Sequence, residues 1–168
     1  VWMTRNFLDS SGEPTWIPLT DFGGPDVLNV SSVAVLARNN DVSQSVVFAG
    51  TGEPEANRAG AGFLRSLDGG RTWTLLDSSR NFDASGNLLP LSQRDLVFVG
   101  AQVYRVVVDP RPTPSGEAIV YAAVGGGDPA ARGVWRSLDS GRNWTRVLQV
   151  GTGANTQDAT DLALDLNN

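Results

Sequence analysis

The nine residues RSLDGGRTW, Arg65 to Trp73, return 71 positions later as RSLDSGRNW, Arg136 to Trp144. Two copies of one pattern in one chain signal an internal repeat, and such a repeat decides the fold before any single element does. The surroundings repeat with it. VSSVAVLAR (Val30 to Arg38) aligns with VYRVVVDPR (Val103 to Arg111), and SVVFAGTG (Ser45 to Gly52) with AIVYAAVG (Ala118 to Gly125), both at an offset of 73. GFLRS (Gly62 to Ser66) aligns with GVWRS (Gly133 to Ser137), and WTLLD (Trp73 to Asp77) with WTRVL (Trp144 to Leu148), both at 71. The drop from 73 to 71 is a two-residue shortening of one loop.

Each unit holds four short segments rich in Val, Leu, Trp, Phe and Tyr, separated by Gly, Pro, Asp and Asn. Those are strand and turn signals. No segment carries a 3.6-residue apolar period over ten or more residues. Four strands per serial repeat is the pattern of a β-propeller blade, so the expected fold is all-β, a partial β-propeller with two complete four-stranded antiparallel blades plus parts of two flanking ones. At the start, VWMTRN (Val1 to Asn6) resembles VWRSLD (Val134 to Asp139), and TWIPLT (Thr15 to Thr20) resembles NWTRVL. At the end, TDLALD (Thr160 to Asp165) resembles YRVVVD (Tyr104 to Asp109). The expected division is therefore 1–29, the end of a preceding blade and a connection; 30–77, a complete blade; 78–101, a long inter-blade loop; 102–150, a second complete blade; and 151–168, a connection and the first strand of a following blade. A closed propeller takes typically 4 to 8 blades. The chain reads as a fragment whose cut edges pair with further chain, since bare edges are pairing templates.

Composition narrows the chemistry. The chain has 168 residues, 40% of them hydrophobic, which suffices for a real core. Its 19 Gly and 9 Pro imply many turns. The net charge is −5 and every one of the 13 basic residues is Arg. An acidic chain with dispersed Arg lacks the clustered basic face that nucleic acid requires. No apolar run approaches the roughly 18 residues of a membrane span. The chain begins at Val1 and carries no signal peptide, so its start is expected to be processed or cut from something longer. Cys and His are both absent. That excludes disulfides, thiolate chemistry and every triad built on His.

SLDGGRTW (Ser66 to Trp73) fits the Asp-box, also called the bacterial neuraminidase repeat, and SLDSGRNW (Ser137 to Trp144) fits it with Asn143 replacing the usual Thr. The motif occurs in sialidases, sortilin-type receptors, xyloglucan-cleaving glycosidases, a photosystem assembly factor and many exported bacterial proteins. VFAGTGEPEANRAGAGFLRSLDGGRTW resembles the last group, large secreted propellers, and the resemblance implies an extracellular or cell-surface location. Asp-box families share fold more than activity. In the physical reading, Asp68 and Asp139 accept N–H bonds within the turn from the third to the fourth strand. Gly70 and Gly141 permit positive φ, Trp73 and Trp144 pack back over the hairpin, and Ser66 and Ser137 add local hydrogen bonds. The alternative reading makes either Asp catalytic or calcium-binding.

Propeller connections alternate between two faces. Asn39 to Gln44, Pro112 to Glu117 and both Asp-box turns are short. Thr51 to Gly62, Asp77 to Gln102, Gly125 to Gly133 and Val150 to Ala159 are longer and are expected to gather on the other face, where binding residues tend to live. The candidate ligand-facing residues there are Glu53, Glu55 and Arg58, Arg94 and Asp95, and Asp128 and Arg132. Paired carboxylates would hydrolyse a glycoside only about 5 to 9.5 Å apart. The sialidase arginine signature is absent; Tyr104 and Tyr121 sit in strand positions and read as packed aromatics. Asp21 in PLTDFGG is similar to a stretch of the xyloglucan-cleaving relatives. The glycines of GTGEPE and GGGDP neither lead a strand into a helix nor precede a Lys, which argues against a phosphate cradle. DASGN (Asp83 to Asn87) offers oxygen ligands without the spacing of a calcium loop, and Asp109 before Pro110 reads as a turn initiator.

The expectation is thus a non-catalytic propeller segment of a larger exported protein, serving binding, adhesion or scaffolding, with no catalytic residue, metal or cofactor of its own. Its partners are the remaining blades or another subunit, with carbohydrate as a candidate ligand. The alternative is part of a carbohydrate-active hydrolase whose catalytic residues lie mostly outside these residues. Trp2, Ile17, Leu162 and Leu164 are expected to be wet without neighbouring blades.

Overall fold

A computed structural model describes residues 1–8, 12–20 and 29–167; Asp21 lies outside them. Ten strands follow in order: β1 (Trp2–Thr4), β2 (Trp16–Pro18), β3 (Val30–Leu36), β4 (Val46–Thr51), β5 (Phe63–Ser66), β6 (Thr74–Leu76), β7 (Gln102–Val108), β8 (Val120–Gly125), β9 (Gly133–Ser137) and β10 (Thr145–Leu148). The only helical elements among the described residues are three single 3-10 turns, Val42–Gln44, Leu91–Gln93 and Gly153–Asn155. The strands form antiparallel sheets of two, four and four strands, each a plain meander and none closed: β1-β2, β3-β4-β5-β6 and β7-β8-β9-β10.

The register carries the repeat. Phe48 opposes Arg65 across β4 and β5, and Tyr121 opposes Arg136 across β8 and β9. β4 is buried along its whole length, VVFAGT, because strands flank it and side chains cover both of its faces. The second sheet lies on the first, β7 packing against β3 and β4. Gly50 makes the approach feasible: a Cβ there would lie 2.4 Å from Val103 Cγ1. Between the sheets sits one apolar cluster, with Phe48, Phe63 and Leu76 from the first sheet and Val103, Trp135 and Trp144 from the second.

Four expectations change. Trp144 does not fold back over its own hairpin. It crosses to the preceding sheet and stacks on Phe63, centroids 4.5 Å apart and planes at 12°. Trp73 does both: its Nε1 donates to Gly70 O in its own turn and to Leu19 O, just past β2, each at 3.0 Å. Apolar area is better buried between sheets than on a two-stranded ribbon. Second, the connection from Asp77 to Gln102 does not stay on one face. It doubles back so that Arg80 bridges Asn143 and Asn81 N–H donates to Arg142 O, at the end of the second sheet that carries the repeated Ser-Leu-Asp turn. Burial of Phe82, Leu89 and Phe98 drives this excursion. Third, Thr160 to Asp165 forms no strand, because no described residue offers it a ladder. It still runs beside β7, with Asp161 3.7 Å from Arg105. Fourth, Trp2 and Ile17 are exposed, at 55% and 41%, but Leu162 and Leu164 are half-buried.

Candidate functional site

The two repeated turns are superposable hydrogen-bond cages. Ser66 Oγ donates to Asp68 Oδ1 at 2.7 Å and accepts from Gly70 N–H at 2.8 Å. Asp68 accepts from Thr72 N–H at 2.9 Å and from the Thr72 hydroxyl at 2.7 Å. In the second copy Ser137 donates to Asp139 at 2.8 Å and accepts from Gly141 N–H at 2.8 Å. Asn143 donates its N–H and its side-chain amide to Asp139, at 2.9 and 2.7 Å. Asn for Thr therefore keeps both donors. Gly70 and Gly141 have φ of 92° and 81°. They also admit the preceding unit: a Cβ on Gly70 would meet Leu19 Cδ1 at 2.7 Å, and one on Gly141 would meet Leu76 Cδ1 at 2.8 Å.

A third, degenerate cage lies near the N-terminus, where VWMTRN and TWIPLT align with the second repeat. Thr4 Oγ1 donates to Asn6 Oδ1 at 3.0 Å, and Asn6 Oδ1 accepts from Thr15 N–H at 2.8 Å. Thr4, Asn6, Thr15 and Trp16 stand where Ser66, Asp68, Thr72 and Trp73 stand. The signal was there in Thr-x-Asn and Thr-Trp, but Asn6 and Thr15 are nine residues apart rather than four.

Both Asp side chains of the full motifs take their hydrogen bonds from donors of their own turns. Burial pushes the Asp68 carboxyl up, but the Thr72 N–H, the Thr72 hydroxyl and the Ser66 hydroxyl outweigh it and hold it below its ordinary value of 3.8. Asp68→Ala is expected to cost about 1–2 kcal/mol by chemical denaturation, from one lost cage of satisfied hydrogen bonds. Unchanged stability would remove the structural role.

The candidate ligand residues separate into three groups. Glu53 and Arg58 close a hairpin by mutual backbone bonds and a 3.4 Å ion pair in solvent, and Glu53 also takes Asn29 Nδ2 at 3.0 Å. Glu55 is exposed beside them. Arg94 is no surface residue: it pairs with Asp77 at 2.8 Å, the two side chains 10% and 5% exposed. Asp95 is taken up by Ser79, whose N–H and hydroxyl both donate to it, and by Val97 N–H. Asp128 caps Ala130 N–H at 2.7 Å. Arg132 knits two loops, donating to the carbonyls of Gly126, Gly127 and Thr156 and lying 3.4 Å from Asp158.

The remaining singled-out groups are also engaged. Asp83 accepts from Ser85 and Asn87 N–H, and Asp109 from Arg111 N–H and guanidinium. Tyr104 and Tyr121 are half-buried on β7 and β8, and burial, with Asp158 nearby, raises the Tyr104 phenol. Among the described residues no group of three or more Asp and Glu could hold a metal ion. Of the candidate ligand residues, Glu53, Glu55, Arg58, Asp95 and Asp128 are exposed to solvent. A groove of about 540 Å³ opens at the opposite end, between the β3–β4 and β7–β8 turns, lined by Arg38, Asn39, Gln44, Leu67 and Ser115 among others. Its amides, hydroxyls and single guanidinium include no carboxylate. Reading site residues from loop length alone missed it, because both turns are short.

Five carboxyls are held below 3.8: Asp41 by the Ser43 hydroxyl and the Gln44 amide, Asp83 by Asn87, Asp109 by Arg111, and Asp68 and Asp95 by local donors that overcome burial, for Asp95 chiefly Ser79. A carboxyl with a lowered folded pKa stabilises the fold above its unfolded pKa and loses that contribution as pH falls through the folded one. Urea midpoints are therefore expected to be flat between about pH 6 and 8 and to fall below about pH 4. A midpoint that rises on acidification contradicts this.

No family model matches the chain, and no solved structure does. No helix among the described residues is long and apolar enough to cross a membrane. The chain is similar to a xyloglucanase from Paenibacillus sp, with 32% identity over 146 residues. That alignment takes in 86% of this chain but only 12% of the relative, so the chain spans a small part of the curated protein it matches.

Proposed function

We propose that these residues form a β-propeller segment of a secreted, glycan-active protein of xyloglucanase type, and that they supply scaffold and glycan-facing surface rather than its catalytic centre. The observation that carries this reading is the similarity to a xyloglucanase across nearly the whole repeat-bearing chain. Two stacked four-stranded meanders with equivalent Asp-box turns support the propeller. The neighbours are further units of the same protein or another subunit. The surface proposed to meet carbohydrate is the rim of Glu53, Glu55, Arg58 and Asp128, with Arg132 positioning its loop.

The engagement of the buried carboxylates among the described residues, Asp77 and Asp109, favours a second reading, a binding or scaffolding propeller of an exported protein with no hydrolytic function at all. Titration calorimetry with xyloglucan oligosaccharides, run beside a reducing-sugar assay, separates the readings. The glycan reading expects no turnover by the 168-residue chain and weak binding, with a Kd on the order of 1 mM, lost in Glu53→Ala/Arg58→Ala. Binding absent from both this chain and its longer parent leaves the scaffold reading. Turnover by the chain itself contradicts the non-catalytic role.

A further inference from the structure

The two units differ in charge at the groove between the β3–β4 and β7–β8 turns. Arg38 in the first unit and Arg111 in the second occupy the same repeat position. Arg111 is neutralised locally: its Nε and Nη2 donate to the two oxygens of Asp109, at 3.0 and 3.1 Å. In the first unit the place of Asp109 is taken by Leu36, which is buried in the core. A second acid is missing in the same way. Glu117 of the second unit lies 3.3 Å from Arg142, and its counterpart, at the same offset of 73, is Gln44. The first unit thus keeps the guanidinium and lacks both carboxylates.

The groups around Arg38 are held in place. Its Nη2 donates across the groove to Gly116 O, in the other unit, at 2.6 Å. That bond fixes one edge of the guanidinium and leaves its other nitrogens without a partner among the described residues, in whose ion pairs Arg38 takes no part. Asn39 donates its amide to Gln44 Oε1 at 2.8 Å, and Gln44 donates to Asp41 at 2.9 Å. Asp41, the acid of that turn, also accepts the Ser43 N–H and hydroxyl, and the cation that favours its charge is Arg71, not Arg38.

A guanidinium fixed at one edge, in a groove without carboxylates, suits a planar anion met by two N–H···O bonds. A bare carboxylate would need no more than that. The groove also presents the Asn39 side-chain oxygen, the Gln44 amide and the Ser115 hydroxyl, donors and acceptors that match the hydroxyls of a sugar ring. Leu67 and Pro112 lie beside them for the ring's C–H face. The volume of about 540 Å³ is that of a small-ligand site. An acidic peptide brings carboxylates on flexible stems and leaves the amides and hydroxyls unmatched.

We infer that this groove is a binding site for a hexuronate residue of an acidic polysaccharide, with its carboxylate on Arg38 and its hydroxyls on Asn39, Gln44 and Ser115. The site lies at the opposite end from the rim of Glu53, Glu55, Arg58 and Asp128 and does not rest on it. A negative xyloglucan titration at that rim leaves the inference standing.

Amide NMR of the isotope-labelled 168-residue chain, titrated with tri-galacturonate, tests it. The signals of Asn39, Gln44, Ser115 and Gly116 are expected to shift with a Kd on the order of 1 mM, while those of Glu53 and Arg58 stay. Added salt weakens the binding. Arg38→Gln is expected to weaken it about tenfold or more. Gln44→Glu, which restores the acid of the second unit, is expected to weaken it as well. Unchanged signals away from the groove show both variants folded. The methyl-esterified trimer, with the same rings and no charge, is expected to leave the groove signals in place. Equal shifts from ester and acid overturn the inference, because the carboxylate is then not recognised. Acetate binding as tightly as the trimer, or a poly-glutamate peptide binding more tightly, overturns it too, by showing a bare-anion or acidic-peptide site. So do groove signals that stay unmoved at trimer concentrations well above that Kd.

Discussion

Trp144→Ala lowers the unfolding free energy by about 3–5 kcal/mol, the range for deleting a large aromatic from a packed core. Trp144 is 4% exposed. Its indole lies flat on Phe63 and meets Phe48 and Phe98 edge-on, at 6.4 and 6.1 Å. Those partners belong to the first sheet and to the long loop behind it, so truncation opens a cavity at the junction of the two sheets rather than within one hairpin. Trp73, the same residue of the other motif, is only half-buried and faces the short β1–β2 ribbon. Its replacement by Ala is expected to cost well under half as much. Urea titration by circular dichroism in a stabilising osmolyte checks the pair, the osmolyte keeping both variants folded at the start. Equal costs would mean that the motif Trp serves its own hairpin, as the sequence alone suggested.

Asp77→Ala is the second large effect, about 3–5 kcal/mol, because it leaves the Arg94 guanidinium buried without its counter-charge. The pair is 2.8 Å apart and nearly closed to water. Asp77 also accepts the Ser78 hydroxyl at 2.8 Å, and the same residue's carbonyl takes Phe98 N–H. It therefore pins both ends of the long loop that wedges Phe82 and Phe98 against the sheets. Removing both charges together, Asp77→Leu with Arg94→Met, is expected to recover most of the loss, since no unpaired ion remains. A double variant as unstable as Asp77→Ala would show that the charge pair is not what matters there.

The sheets were legible because one spacing, 73 falling to 71, runs through every strand and turn of both units. Partners lying in another unit were not. The direction of Trp144 depends on Phe63, some eighty residues earlier in the chain, and no local pattern reveals it. Arg94 and Asp95 looked like loop charges because their partners, Asp77 and Ser79, lie across a closed loop. A hint was present: Phe82, Leu89 and Phe98 are too apolar for a connection that stays in water. The alignment of VWMTRN and TWIPLT with the second repeat sets Thr4, Asn6 and Trp16 on Ser137, Asp139 and Trp144. It does not show the cage itself, because Thr and Asn replace Ser and Asp and the turn is longer. The tail from Thr160 to Asp165 has the composition of a strand, but a strand exists only with a partner to bond.

The proposed propeller places the two four-stranded sheets in a series of like units, each covered by its neighbours. At the leading end Val33 and Val35 are 48% and 59% exposed, whereas their equivalents under the first sheet, Val106 and Val108, are 3% exposed and half-buried. Trp2 and Trp16 are half-exposed beside them in the series. Covering each such side chain is worth roughly 1.5–3 kcal/mol, against a total of about 5–15 kcal/mol for a typical domain. Chemical denaturation of the 168-residue chain, followed together with light scattering, tests this most directly. The expected result is an unfolding free energy below about 5 kcal/mol or association that grows with concentration. A monodisperse monomer with one cooperative transition above that value would contradict the account and show the two sheets to be self-sufficient.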